Sequence, residues 1–459
     1  MRLEERARHA AGAIRHGVEL MPVRAAAAAP GTYEGFLRFV ERRRRNQRIA
    51  TIVTALLLAL LAVGGAIRML HHASEERPAD ERITPQRVSD LRPSWSAPSG
   101  ASTDQYSPTA GEDAVFVSTN RGQLLAYPHA CEGSCEPMWR FENGRALAHP
   151  AVSDGIVYVA EASGASGARL LAFETDCAAV GPSCRPAWTG RIGHGVRWDQ
   201  PPLVAGDLIV VPAVDGLYAF PIGCGRVNET CRPARMIHTP GPVLALASDQ
   251  ASFYVATDRE VLAYAASCAS DCEPTWRWPI GRPQIIASLG VAGDTLLFGT
   301  GYPSPTLGDN HLWALPTVCA DHEGCAPLWS LDTEGNTFVT TVGDRAYVVD
   351  QGANTDRTIL AYDLPCSVTT QGGCDPVWEA PRPAGWEVYD PAVVVDGVVY
   401  VGSTDGYVSA YPSDCDPVCR PLWETSAAGY GPVQVAGGGG KVYAGGEGIY
   451  AFGLPEDGA

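Results

Sequence analysis

The stretch Asp390–Thr425, DPAVVVDGVVYVGSTDGYVSAYPSDCDPVCRPLWET, decides the fold. Pro391 opens a β-prone run, Asp396-Gly397 marks a turn, and a second run, VVYVGS, alternates. Asp405-Gly406 marks another turn before YVSAY, and a loop bounded by Cys415 and Cys419 leads into Pro421-Leu422-Trp423. Asp-Gly dipeptides between β-prone runs are hairpin signals. The stretch is a four-stranded antiparallel meander, and no helix-length amphipathic segment separates it from its neighbours.

The same phrase occurs seven times. Ala126, Ala172, Ala219, Ala263, Ala314, Ala361 and Ala410 are each followed five residues later by a cysteine. A second cysteine follows with Pro two residues on, and Trp four residues past it, except that Arg235 replaces the third Trp. Successive alanines lie 46, 47, 44, 51, 47 and 49 residues apart, a period that signals propeller blades or solenoid repeats. Length differences inside the phrase fall between the two cysteines, so a turn varies while two strands hold register. An eighth copy, Ile449–Phe452, has no cysteines.

The seven pairs use all fourteen cysteines: Cys131 with Cys135, Cys177 with Cys184, Cys224 with Cys231, Cys268 with Cys272, Cys319 with Cys325, Cys366 with Cys374, and Cys415 with Cys419. Zinc sites join two short Cys/His pairs, and each pair here is alone in its repeat without matching histidines. Disulfides in an oxidising compartment are the expectation. Each short loop gains about 2 kcal/mol from closure. The expected role is to pin hairpins without tying repeat to repeat.

Residues Ile49–Ile67 form an uncharged apolar run, flanked by Arg42–Arg45 and Arg48 before it and by Glu75, Glu76, Asp80 and Glu81 after it. That length suits a bilayer core of about 30 Å, and the arginines place the N-terminus inside. A cleaved signal peptide has a shorter apolar region and n-region. The expected organisation is a cytoplasmic segment at 1–48, a transmembrane helix at 49–69, an extracytoplasmic linker at 70–89 and a repeat domain at 90–459. Residues 1–68 hold 12 Arg against 5 Glu, so the remainder is more acidic than the chain's net charge of −17. An acidic exported domain excludes nucleic acid as a partner and disfavours anionic lipid. The lipid bilayer is the expected partner of 49–69. The cytoplasmic helix-like stretch Thr32–Arg48 sets its arginines against lipid phosphates or docks a cytoplasmic partner.

Consecutive four-stranded sheets of this length are β-propeller blades. The expected fold is all-β: an eight-bladed propeller of four-stranded antiparallel blades, preceded by one transmembrane helix. Arg92-Pro93-Ser94-Trp95 matches the x-Pro-x-Trp strand with no hairpin before it, while the phrase at Ala451 has no such strand after it. The N-terminal strand therefore completes the last blade and closes the ring, removing exposed edges.

The apolar-x-Ala-aromatic phrase with a Trp ending the blade resembles the pyrroloquinoline-quinone-like propeller repeat over roughly residues 90–455. That family's hairpin reads Ala-x-Asp-x-x-Thr-Gly; here cysteine pairs take its place, and only Asp363 retains the Asp. The resemblance implies the fold and, as an alternative function, a dehydrogenase dependent on pyrroloquinoline quinone and calcium. Quinoprotein dehydrogenases carry an adjacent Cys-Cys disulfide, which this chain lacks. Nor does the chain contain a nucleophile elbow, a zinc-protease motif or a phosphate loop. The expectation is non-enzymatic, with no cofactor and no metal.

In such a blade the first and third turns share one face of the ring, so all seven cysteine loops crowd there. The other face carries the second turns and the blade links, which hold Tyr106, His149, His194, Trp198, Asp199, His238, Arg282, Trp386, Tyr389, Asp390 and Tyr430. Loops near a propeller axis commonly build its binding site. Taken together these side chains suit a protein, peptide, glycan or planar ligand better than a metal. The expected role is a scaffold or sensor at the cell membrane, with the propeller outside.

Overall fold

The computed structural model describes residues 82–455 apart from 99–105, 165–166, 178–182, 194, 197–199, 225–228, 250, 269–271, 281–285, 302–309, 320–323, 334, 352–356, 369–371, 382–389 and 428–430. The cytoplasmic and transmembrane segments expected at 1–48 and 49–69 lie outside the described residues. Among the described residues no helix is long and apolar enough to cross a membrane.

Eight antiparallel sheets fill the compact unit Ala79–Ala459. Blade 1 runs from strand Tyr106–Ala110 to Trp139–Glu142, blade 2 from Ala151–Ser153 to Trp188–Ile192, and blade 3 from Leu203–Ala205 to Arg235–His238. Blade 4 spans Val243–Ser248 to Trp276–Pro279, blade 5 Leu289–Ala292 to Trp329–Asp332, blade 6 Thr337–Val342 to Trp378–Pro381, and blade 7 Val393–Val395 to Trp423–Ser426. Blade 8 comprises Gln434–Gly438, Lys441–Gly446 and Gly448–Gly453, and its fourth strand is Arg92–Pro98. That strand is antiparallel to Gly448–Gly453, with Trp95 opposite Ala451, so the N-terminal strand closes the last blade as the sequence predicts. The first strand of blade 8 abuts that of blade 1. Asp154-Gly155 and Asp396-Gly397 turn with positive φ at both positions, 49° and 74° in the first, 50° and 80° in the second, the geometry of a two-residue hairpin.

The repeated Ala and Trp are cross-strand partners. Ala126 faces Trp139, Ala172 faces Trp188, Ala263 faces Trp276, Ala314 faces Trp329, Ala361 faces Trp378 and Ala410 faces Trp423. A small side chain beside each indole leaves room for the ring, and the residue before each Trp donates its N–H to the alanine carbonyl, as in Val377 to Ala361 at 2.7 Å. Burial is organised by seams between blades. The clusters around Trp139 and Phe173, Trp188 and Phe220, and Trp378 and Tyr411 each combine two neighbouring blades. Each Trp thus covers the next blade.

All seven disulfides form as the sequence predicts. Their loops do more than pin hairpins, which corrects the expectation that they leave repeats untied. Gly133–Ser134 adds in parallel to Trp95–Ser96 of blade 8, and Glu229–Cys231 adds to Trp188–Gly190 of blade 2. Ser183 bridges Arg140 of blade 1, and Val418 bridges Glu379 of blade 6. Cys135, Cys184 and Cys419 donate their N–H to Ser96, Arg140 and Glu379 at 3.0, 2.8 and 2.7 Å. Each of these loops therefore knits its blade to the preceding one. The indoles answer from the other side: Trp139, Trp276 and Trp378 donate to the carbonyls of Thr175, Thr317 and Ser413, each two residues before the next blade's first cysteine. Arg235, the exception in the repeat, donates to the equivalent carbonyl of Ala266 at 3.2 Å.

Blade 8 has no cysteine loop before its fourth strand. Ile83, Val88 and Leu91 occupy the seam of blades 7 and 8 instead, packed with Val398, Tyr400 and Val442. The folded unit therefore begins before position 90.

Candidate functional site

The topology puts the first turns and the cysteine loops on one face, and the second turns and the blade links on the other. Of the link residues named from sequence, His194, Trp198, Asp199, Arg282, Trp386, Tyr389 and Tyr430 lie outside the described residues. Tyr106 opens the first strand of blade 1. His238 ends the outermost strand of blade 3, paired with Gly216, and is exposed. It borders a groove of about 260 Å³ between blades 3 and 4, with Met236, Leu262, Tyr264 and Arg277. A fourth strand lies at the rim of a propeller, so His238 stands away from the axial mouth.

His149 and Asp390 come together through Gln434, a residue that nothing in the sequence marks. His149 precedes the first strand of blade 2, Asp390 precedes that of blade 7, and Gln434 begins that of blade 8. The Gln434 amide nitrogen lies 3.0 Å from His149 Nε2. An amide N–H donates to an imidazole nitrogen that carries no proton, so this contact fits neutral His149 protonated at Nδ1. The Gln434 amide also neighbours the Asp390 carboxyl closely enough to act on its ionisation, while its own Oε1 is buried with no hydrogen-bond partner among the described residues. Burial of the carboxyl pushes the Asp390 pKa up to about 6, and the Gln434 amide opposes the rise. One amide therefore stands between two titratable groups from blades 2 and 7 at the mouth of the ring. A glutamine at a strand start carries no sequence signal of such a role; only the ring, by bringing three distant links together, shows it.

A second polar cluster on this face holds a link in place. Glu161, in the second strand of blade 2, is fully buried in an otherwise apolar run. Arg145 and Arg169 each approach its carboxylate at 2.7 Å, and Asn143 donates to it at 2.6 Å. A buried carboxylate is tolerated only when so surrounded. Asn143 and Arg145 belong to the link between blades 1 and 2, so the cluster fixes the segment that delivers His149.

No protein-family model matches the chain, and no curated protein matches it in sequence. The fold has counterparts among solved structures. The computationally designed Ika8 protein superposes with a TM-score of 0.59 at 11% identity, over 79% of this chain and 100% of that one. Sqt1 of Saccharomyces cerevisiae gives 0.59 at 10% identity, over 80% of this chain and 99% of that one. The quinohemoprotein alcohol dehydrogenase of Comamonas testosteroni gives 0.53 at 12% identity, over 82% of this chain and 79% of that one. At these identities the likeness is one of fold.

The adjacent Cys-Cys pair of the quinoprotein dehydrogenases is absent from the chain. The fourteen cysteines are paired locally in the loops of the opposite face, away from the mouth. Among the described residues no three His, Cys, Asp or Glu side chains gather as a metal-holding group.

Proposed function

We propose that this chain is a non-enzymatic binding module: a single-pass membrane protein, N-terminus inside, that presents a disulfide-stapled eight-bladed propeller outside the cytoplasmic membrane as a scaffold or sensor. The observation that carries the binding role is the convergence of His149, Gln434 and Asp390 from three blades on one axial mouth. The polar side chains gathered there support a ligand with hydrogen-bonding groups, such as a peptide or a glycan. The cysteine pairs and the arginine-flanked apolar run support the topology.

Glycan and peptide arrays probed with the Ala79–Ala459 unit test the reading. A bound glycan or peptide whose affinity falls tenfold or more in Gln434→Ala, with folding retained, supports it. Dye reduction by the unit loaded with pyrroloquinoline quinone and calcium, on addition of alcohols or sugars, would establish the dehydrogenase alternative instead. Alkaline carbonate extraction of cell membranes tests the anchor separately, since a spanning chain stays in the pellet.

A further inference from the structure

The opposite face of the ring carries a pattern of its own. The residue before each outer-strand Trp, or before Arg235 in blade 3, occupies the same structural position in blades 1 to 7, held by the same hydrogen bond to the repeat alanine. In blades 2 to 4 that residue is Ala187, Ala234 or Thr275, whereas in blades 5 to 7 it is Leu328, Val377 or Leu422. These three are 45%, 38% and 37% exposed. The cysteine loops of the same three blades add Val318, Val368 and Val418, at 83%, 51% and 56%.

With Val342, at 49% beside the first turn of blade 6, seven of the nine large hydrophobic side chains exposed among the described residues thus lie on the cysteine-loop side of three consecutive blades. The seam geometry draws some of them together. Val418 bridges Glu379, two residues past Val377, across the seam of blades 6 and 7. Scattered exposed aliphatics are ordinary, but a set repeated at equivalent positions of adjacent blades is the mark of an interaction surface.

The charges around them select the partner. Asp344, Asp375, Asp414 and Asp416 are exposed on this face. Of its described cations, Arg345 is already held by Asp363, at 2.6 Å, and by Asp414, at 3.6 Å, and exposed Arg420 is outnumbered by the four aspartates. An acidic, aliphatic surface repels a second copy of itself and an anionic lipid surface, and it complements a basic segment that carries apolar side chains.

We infer that the cysteine-loop face of blades 5 to 7 is a docking surface for a basic, amphipathic polypeptide segment of another protein. This surface is independent of the axial mouth.

Two 18-residue amphipathic peptides, one of Leu and Lys and one of Leu and Glu, serve as probes for the Ala79–Ala459 unit. That unit is compact and its ring is closed by its own strand. Fluorescence anisotropy reads the affinity, and hydrogen exchange reads the location. The Leu/Lys peptide is expected to bind, to protect residues 366–378 and 412–424, and to bind tenfold or more weakly to the combined variant Val377→Ser, Val418→Ser, Leu422→Ser. These exposed substitutions leave the charge unchanged, so the variant separates apolar docking from general attraction to an acidic protein. Equal binding by the serine variant, equal binding of the Leu/Glu peptide, or protection mapped to the other face would overturn the inference. Flotation of the unit with phosphatidylcholine vesicles, lost in the serine variant, would assign the surface to lipid and overturn it as well.

Discussion

Replacing Asp390 by Asn removes a charge that the fold partly shields from water. The ordinary carboxyl pKa is 3.8, and burial at the mouth raises it to about 6. A tenfold change in an ionisation constant corresponds to about 1.4 kcal/mol, so ionising Asp390 costs the folded state at most about 3 kcal/mol. Partial solvent contact reduces this to roughly 1–3 kcal/mol. A carboxyl with a raised folded-state pKa favours the fold most below pH 3.8, where both states are protonated. Stability falls as pH rises from 3.8 to about 6 and is level above that, because the unfolded chain ionises first. Asparagine keeps an oxygen for Gln434 and does not titrate. With an unfolding entropy of about 2.1 cal/mol/K per residue over roughly 370 residues, 3 kcal/mol corresponds to a Tm shift of about 4 °C. Calorimetry of parent and Asp390→Asn under non-reducing conditions, from pH 4 to 7.5, should show coincident melting at pH 4. At pH 7 the variant should melt a few degrees higher. A Tm difference that does not change with pH, or an Asn variant that is less stable at pH 7, would refute the buried-carboxylate argument.

Other perturbations address the seams and the link. Arg235→Trp should be neutral or stabilising, because an indole donates to the equivalent carbonyl at three other seams; Arg235→Ala should cost about 1–2 kcal/mol by leaving the Ala266 carbonyl without its donor, both read as Tm changes. Glu161→Gln should cost about 2–3 kcal/mol, at the low end for a broken buried pair because Arg145 and Arg169 can rehydrate, and hydrogen exchange should quicken in residues 143–149. Ala361→Leu should cost about 1–3 kcal/mol by crowding Trp378, lowering the Tm. Alkylation of the denatured, unreduced protein should label no thiols, as counted by mass; labelling of most cysteines would overturn the pairing.

Blade count and the seven disulfides were legible because they are local, and ring closure because each unmatched end, the strand at Trp95 and the phrase at Ala451, is itself a local signal. An alanine meets its Trp across one hairpin, and the spacing of the phrase fixes that register whatever happens between the cysteines. The mouth was only partly legible. His149 and Asp390 stand out as titratable link residues, yet their meeting depends on Gln434, which lies 285 residues from His149. A neutral amide at the start of a strand has no periodicity, spacing or charge to mark it. Arg235 likewise read as a lapse in the repeat, because an arginine resembles a tryptophan only in what its N–H can reach.

The contacts between repeats also change what the repeat is. In sequence the phrase ends at Trp, but the Trp of one blade packs with the cysteine pair of the next, as Trp139 does with Cys177 and Cys184. Each such unit straddles a seam, so closing the ring requires an eighth filler where blade 8 has no cysteine loop. Leu91 stands four residues before Trp95, the position that the second cysteine holds in the other blades, and it is buried like six of those seven cysteines. The segment 82–91 therefore serves as the eighth loop without a disulfide, using Ile83, Val88 and Leu91 to fill the seam of blades 7 and 8. Closure of the ring then rests on apolar packing as well as on strand pairing with Gly448–Gly453, and the same stretch is the part of the folded unit that leads back toward the arginine-flanked apolar run.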